Sequence, residues 1–461
     1  MLTRAAALLS LVPVLHAALP KPADWVPARW PWNTARSLEL LDRSPVNCLI
    51  LSAPSAEFTA AANARGVVVL TASGTLDDLT LTAPAQPTVH LTARAKMVLA
   101  SPDPIIGTTQ GVWPGVAAEE NAHKAGPTSS VWIDTNTGFL RAVRAWGTST
   151  VWIANAPPEK TVITTARYLQ AIADPAIIGA RWVITLDSDL AARLDRREEA
   201  ALGTWHRMGA LLAYFESHRE WRAMREAGQL AIVQDPAKGG LISGGILDMI
   251  ATKHTPVRPV PRQRLSPEAL AGAKMAVNID GDSLTPEQKE ILRAFARGGN
   301  VILNGPPGWT DPSPAAGAIT LETSELERLG DMFRDVNSMI GRRNLGVRLF
   351  NVASMLSNYV SAPDGQSAVV QLVNYSDYPV DDVTLHYLAE FPRATLIAPE
   401  GAEKKLEVYK TEDGYGVDIA RVSTCAAIPL LQAGHAQKRS APNPLLGEFR
   451  KPALHLIDPG P

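Results

Sequence analysis

Three apolar runs in the first half of the chain break off into polar loops that carry carboxylates. Val131-Trp132-Ile133 ends in Asp134, Val151-Trp152-Ile153-Ala154 runs on to Glu159, and Trp182-Val183-Ile184-Thr185-Leu186 ends in Asp187 with Asp189 behind it. A carboxyl placed where a buried strand gives way to a loop is positioned for chemistry, and two facing one bond can act as proton donor and base. Asp134, Asp187, Glu159 and Asp189 are therefore the candidate catalytic set. Each has a plainer reading too. Asp187 or Ser188 suits the cap of a following helix, and Asp134, before Thr135-Asn136-Thr137-Gly138, suits the same task. Glu159, in a Pro-Pro-Glu-Lys stretch, suits an exposed turn.

The chain has 11 tryptophans, and several flank these acids. Sugar rings present C–H faces that stack on aromatic rings, so loop tryptophans beside paired carboxyls point to glycoside hydrolysis. Trp132, Trp152 and Trp182 lie within strands and read as core. Trp113, in Gln110-Gly111-Val112-Trp113-Pro114-Gly115, reads as a loop platform, and Trp32 and Asn136 complete the candidate substrate-binding set. Rival chemistries lack their residues. His206, Glu216 and His218 do not place two ligands on one helix face, and no His-Glu-x-x-His occurs, so no metal is expected. The glycine-rich stretches at Lys238-Gly239-Gly240 and Asn304-Gly305-Pro306-Pro307-Gly308 are neither Walker nor dinucleotide fingerprints, so no cofactor is expected.

The acids need a scaffold that ends strands on one face. Continuous β-branched runs suit parallel strands buried on both sides. Alternating strands and helices up to about residue 226 predict a TIM-like barrel. Helices are expected at Thr34–Leu41, Ser55–Ala64, Gly138–Trp146, Thr164–Ile172 and, as one long stretch, Leu190–Arg225. The segment Thr75–Ile106 is strand-rich, with Val89–Leu91, Met97–Leu99 and Pro104–Ile106 competing. A second alternation from Gly228 predicts a small doubly wound domain over 227–345. It has strands at Leu230–Val233, Met275–Ile279 and Val301–Leu303, a helix at Ile242–Thr252 and another opened by Thr285-Pro286-Glu287. Short strands separated by turns such as Glu412-Asp413-Gly414 predict a β-sandwich over 346–432. Residues 433–461 read as a loose tail.

Composition narrows the class. Charged residues make up 20% and apolar residues 46%, which is globular, and a net charge of −2 gives no field for nucleic acid. Arg4, the apolar run Ala5–Val14 and Leu15-His16-Ala17-Ala18 read as an export signal over 1–18, so a secreted or periplasmic protein is expected. No segment reaches the length of a membrane span. The two cysteines, Cys48 and Cys425, are too few for a disulfide framework and read as buried free thiols.

Three stretches carry a family resemblance. Gln229-Leu230-Ala231-Ile232-Val233-Gln234-Asp235, Phe295-Ala296-Arg297-Gly298-Gly299-Asn300-Val301-Ile302-Leu303 and Val370-Gln371-Leu372-Val373-Asn374-Tyr375-Ser376 resemble bacterial β-galactosidases with a trimerisation domain. The resemblance implies a barrel, a Rossmann-like trimerisation domain and a terminal β-sandwich. It also implies a carbohydrate substrate and a homo-oligomer. It carries over no catalytic residue, because the Asn-Glu dipeptide of such barrels occurs nowhere in this sequence. The middle domain is also similar to class I glutamine amidotransferases, but no Gly-x-Cys-x-Gly elbow supplies a nucleophile. The expected function is glycan or oligosaccharide hydrolysis by an acid–base carboxyl pair. The alternative is an inactive barrel relative that binds carbohydrate or serves assembly.

Overall fold

The computed structural model describes residues 18–75, 78–119, 122–124, 131–234, 255–279, 284–304, 323–341, 344, 346–388 and 390–434. The expected export signal, the helix expected at 242–252 and the tail from 435 onward lie outside these residues. No helix among the described residues is long and apolar enough to cross a membrane.

The first sheet has eight strands in sequential order: β1 (Pro27–Arg29), β2 (Cys48–Leu51), β3 (Val68–Thr75), β4 (Asp78–Thr82), β5 (Val89–Thr92), β6 (Ile105–Thr108), β7 (Thr150–Ile153) and β8 (Arg181–Trp182). The sheet curls until its edges meet. An isolated parallel bridge joins Ala28 to Ile184, with the Arg29 amide donating to the Ile184 carbonyl at 2.8 Å and Ile184 to Pro27 at 3.0 Å. Seven strands run parallel. The exception is β4, which pairs antiparallel with both β3 and β5. The strand-rich segment that competes for registers in the sequence is thus a meander, and Met97–Leu99 forms no strand. A strand that returns by a tight turn needs no crossover helix, which is why helices are sparse on this side.

Alternation along the strands separates two cores. Cys48, Ile50, Val68, Leu70, Leu91, Ile105, Trp152 and Val183 fill the barrel interior. Gly107 is required there, because a Cβ would lie 2.4 Å from the Leu91 side chain and 3.0 Å from the Trp152 carbonyl. Leu49, Leu51, Val69, Ile106, Ile153 and Trp182 face outward, onto helices α1 (Ala56–Ala64), α2 (Thr137–Arg144), α3 (Thr165–Ala176), α4 (Ser188–Asp195) and α5 (Glu199–Ser217). The connection from β1 to β2 is a 3-10 run, Ala35–Arg43. The long helix read over 190–225 is divided at Arg196–Arg197, where Arg197 takes a positive φ of 58°, and it ends at Ser217.

A second sheet is four-stranded and parallel: β9 (Leu230–Gln234), β10 (Val257–Pro261), β11 (Met275–Asn278) and β12 (Val301–Asn304), ordered β10-β9-β11-β12. Its helices are the short α6 (Pro267–Leu270), α7 (Pro286–Arg297) and α8 (Thr323–Ile340). The start of α7 is written in the sequence. The Thr285 hydroxyl accepts from the Gln288 amide at 3.2 Å, and the Gln288 side chain accepts from the Thr285 amide at 3.0 Å.

Two antiparallel sheets follow. One contains β14 (Met355–Ser361), β15 (Ser367–Asn374), β17 (Arg393–Leu396), β18 (Lys404–Leu406) and β21 (Cys425–Leu431). The other contains β13 (Val347–Phe350), β16 (Val380–Tyr387), β19 (Tyr409–Lys410) and β20 (Tyr415–Val422). They enclose one core, built around Val347, Leu372, Leu385, Val417 and Ile428. The outer face of the first sheet does not end in solvent. Leu356, Val360, Val373, Tyr375 and Cys425 join the core beneath the barrel helices, and Arg225–Glu226, at the end of the barrel region, pairs with β14. Cys48 and Cys425 are both free, and burial raises both thiols above their ordinary range.

One buried carboxylate locks this junction. Asp174, on α3, has no exposed surface. Its Oδ1 accepts from the Thr135 hydroxyl at 2.5 Å and the Tyr375 hydroxyl at 2.6 Å, and its Oδ2 accepts from the Asn136 amide and Nδ2, each at 3.0 Å. Tyr375 comes from the turn after β15, so barrel loop, helix and sandwich meet on one side chain. Asp174→Ala strands these buried donors, each costing roughly 1–3 kcal/mol. The expected loss of unfolding free energy is at least about 3 kcal/mol by denaturant titration. Tyr375→Phe, which removes one donor, should lose much less.

Candidate functional site

The loop between β6 and α2 carries the first candidate acid. Ile133–Asp134 pairs antiparallel with Gly115–Val116, so Asp134 lies in a short ribbon rather than at the end of a barrel strand. Its Oδ1 accepts from Trp132 Nε1 at 3.1 Å. Burial pushes the Asp134 carboxyl up, while Trp132, Arg167 and Lys124 oppose that rise. Arg167 is held in place by what is missing at Gly115: with φ at +150°, a Cβ there would fall 1.0 Å from Arg167 Nη1. Arg167 has a second carboxylate in reach electrostatically, Asp377 in the turn after β15.

Asp187 occupies the other side of the same helix. It caps α4, its Oδ1 accepting from the Leu190 amide at 2.9 Å. Its Oδ2 accepts from the Tyr168 hydroxyl at 2.7 Å and the Ile163 amide at 3.3 Å. The Asp187 amide donates back to Tyr168 Oη at 2.7 Å. Tyr168 also meets Trp113 and Trp182, which cross edge-to-face at 5.4 Å. Arg167 and Tyr168 are consecutive on a helix, so their side chains diverge by about 100°. That divergence sends one towards Asp134 and the other towards Asp187.

The remaining expected residues fall outside this pairing. Glu159 is exposed, beside Lys160 at a positive φ of 58°. Asp189 is half-exposed and forms a helical ion pair with Arg193 at 3.3 Å. Trp32 packs edge-on to Trp30 at 5.0 Å. Asn136 is buried at 2% exposure and fully employed. It accepts from Arg94 and the Val112 amide, and it donates to the Val112 carbonyl and Asp174. It fastens the loop that presents Trp113. Among the described residues no group of three or more His, Cys, Asp or Glu is arranged to hold a metal.

Several positions at the strand ends and the junction were not legible in the sequence. At the strand ends, Arg29 alternates inward with the interior residues and donates to the Ala154 carbonyl at 3.0 Å. Burial lowers its guanidinium pKa, and among the described residues it has no ion-pair partner. Asn155, just past β7, has a buried Oδ1 without a partner, and so does the indole nitrogen of Trp113. Asn155 Nδ2 donates to the Val112 carbonyl at 3.1 Å. Near the strand ends lie a half-buried cation, a partly exposed Trp113 backed by the buried Tyr168 and Trp182, and buried polar atoms without partners. Arg29 could have been marked by its place in a period-2 strand, as the odd charged residue on an inward face. Asp174 stood out only as an acid within the apolar run Ala171–Ile178.

Removing the cap in Asp187→Ala should cost about 2 kcal/mol, since it loses the α4 cap and strands the Tyr168 hydroxyl. Asp189→Ala should cost under about 0.5 kcal/mol, because its ion pair is exposed. Thermal unfolding of both variants checks the order. For Asp134 the sign follows from its raised carboxyl. Its contribution to stability is full below the ordinary carboxyl value of 3.8 and is lost as pH rises through the folded value. Asp134→Asn has no proton to lose, so its stability relative to wild type should climb from pH 4 towards pH 7 in melts at matched ionic strength. A flat difference would contradict the assignment.

No protein-family model and no curated protein matches the chain. Solved structures do resemble it in shape, and they are glycoside hydrolases. α-L-Fucosidase isoenzyme 2 from Paenibacillus thiaminolyticus aligns at 10% identity over 67% of this chain and 64% of that chain, with a TM-score of 0.48. A GH42 β-galactosidase from G. stearothermophilus aligns at 9% identity over 71% and 60%, with a TM-score of 0.41. The β-galactosidase from Rahnella sp. R3 aligns at 8% identity over 70% and 60%, with a TM-score of 0.40. The chain spans somewhat under two thirds of the length of these glycosidases, and what it shares with them is shape alone.

Proposed function

We propose that the chain is a carbohydrate-binding protein on a glycosidase-like barrel, with its sugar site at the rim around Trp113, which the buried Tyr168 and Trp182 hold in place from behind and beside which Asn155 lies. The reading rests on one observation: the rim holds a partly exposed Trp113, braced by Tyr168 and Trp182, next to polar atoms without partners, while its best-placed carboxylate, Asp187, is already saturated by three donors. A carboxylate bound that way is a poor base or nucleophile, because attacking a substrate means giving up the helix cap and the tyrosine. Aromatic faces and orphan hydrogen-bonding groups are what neutral sugars require.

A specific observation also favours hydrolysis. The Asp134 carboxyl is raised by burial, against the pull of the Trp132 hydrogen bond, and a raised carboxyl is the property of a proton donor. In this second reading Asp134 is the acid and its partner carboxylate comes from Asp187, Glu159 or Asp189. An exported protein and a homo-oligomer are compatible with both readings and are tested by fractionation and light scattering.

Titration calorimetry against a panel of neutral oligosaccharides, with parallel aryl-glycoside assays, separates the two. Binding without turnover, weakened at least tenfold by Trp113→Ala, is expected. Turnover that Asp134→Asn abolishes would replace binding with hydrolysis as the function. Neither binding nor turnover with any sugar would sink both.

A further inference from the structure

A second surface lies at the end of the barrel opposite the rim. A groove of about 1310 Å³ lies where the lower end of the barrel meets the β10 edge of the second sheet and the sandwich. Its lining includes residues that precede barrel strands, Gly147–Thr150 before and into β7 and Gly179 and Arg181 at β8. It is therefore the face opposite the one where barrel chemistry gathers. Arg144, Arg181, Arg222, Arg225, Arg258 and Arg264 line it, against two glutamates, Glu226 and Glu268.

Three of these six arginines already have a carboxylate beside them. Arg181 and Arg222 share Glu216, at 3.2 Å and 2.5 Å. Arg144 donates to the Ile178 and Arg222 carbonyls and lies near Glu226, which Arg141 also approaches at 3.8 Å. Glu268 is engaged with its own helix start, where the backbone and the Ser266 hydroxyl hold its carboxyl low.

The other three arginines have no carboxylate partner among the described residues. Arg258 spends one donor on the Ala271 carbonyl at 2.8 Å, and its Nε is buried with nothing to bond. Arg264 spends one on the Ala145 carbonyl at 3.2 Å and lies over Trp146 at 5.9 Å. Arg225 is exposed on the short strand beside β14. A guanidinium carries five donors in a planar fork, so most of this capacity is unspent. Burial lowers the Arg258 guanidinium pKa, with no carboxylate among the described residues to restore it. Gln229, also in the lining, has a buried side-chain oxygen without a partner.

We infer that this groove binds an extended small ligand bearing several oxyanion groups, held by Arg225, Arg258 and Arg264. Oxyanions match the guanidinium fork and supply the counter-charge the groove lacks. The volume exceeds the usual range for a compact small-molecule pocket, which suits a ligand of several units. Phosphate chains and uronic-acid oligomers share this chemistry. The site is independent of the sugar-binding reading of the rim.

The experiment is calorimetry on the full chain with tripolyphosphate, trigalacturonate and neutral maltotriose. One or both anions should bind, at least tenfold more weakly at 0.5 M than at 0.05 M sodium chloride. The triple variant Arg225→Gln/Arg258→Gln/Arg264→Gln should weaken binding at least tenfold, while Arg421→Gln on the sandwich leaves it unchanged. Which anion binds tells a phosphate ligand from a uronate one. If the triple variant fails to fold by circular dichroism, the exposed single changes Arg225→Gln and Arg264→Gln are read instead, each expected to weaken binding at least threefold. Absence of anion binding, or equal binding by the groove variants and Arg421→Gln, overturns the proposal. Because maltotriose reports on neutral sugar binding, failure here is distinguishable from failure at the rim.

Discussion

The structure turns on a carboxylate that never meets water. Asp174 sits in the last turns of α3, and burial raises its carboxyl while four hydrogen bonds pull against that rise. An ionisable group in such a place is costly unless every lone pair is used. Satisfying it has organised its surroundings: Thr135 and Asn136 come from the loop that opens α2, and Tyr375 from the turn after β15. Three segments far apart in the chain are thereby brought within hydrogen-bonding distance of one side chain.

From that lock the rim takes its form. Asn136, held by Asp174, holds Val112 in turn, and Val112 carries Trp113 to Tyr168 and Trp182. The same helix that buries Asp174 sends Arg167 and Tyr168 to two different acids. Asp134 and Asp187 therefore have different environments: one is raised by burial in a ribbon, the other is consumed in a cap. Groups of one type are given different tasks by packing alone.

The barrel shows how local chain geometry limits where chemistry can be placed. Replacing a crossover helix with the β3–β4–β5 meander leaves one side of the sheet without helical cover. The other side gains its cover from α2, α3 and α5, and then from the sandwich, whose first sheet shares their core. The Asp134 and Asp187 environments lie on the covered side. Side chains there are fixed from several directions by helix, loop and sandwich.

Period and punctuation made much of the architecture legible in the sequence. Cys48–Leu51 was readable as a strand from its unbroken apolar run, Ser55–Ala64 as a helix from its composition, and α7 from the Thr285-Pro286 start. Caps and strands are decided by neighbours in the chain, so the chain reveals them. The meander was not legible, because strand direction depends on which register wins across the sheet. Strands β13 and β14, without a strong turn signal between them, were also missed. The sequence named Asp134 and Asp187 as acids at loop starts, and it held both catalysis and capping open for each. Tertiary structure alone decided that Asp187 also serves Tyr168 and that Asn136 is a fastener for Arg94, Val112 and Asp174. Those outcomes depend on which distant groups arrive at 3 Å, and no spacing along the chain encodes that.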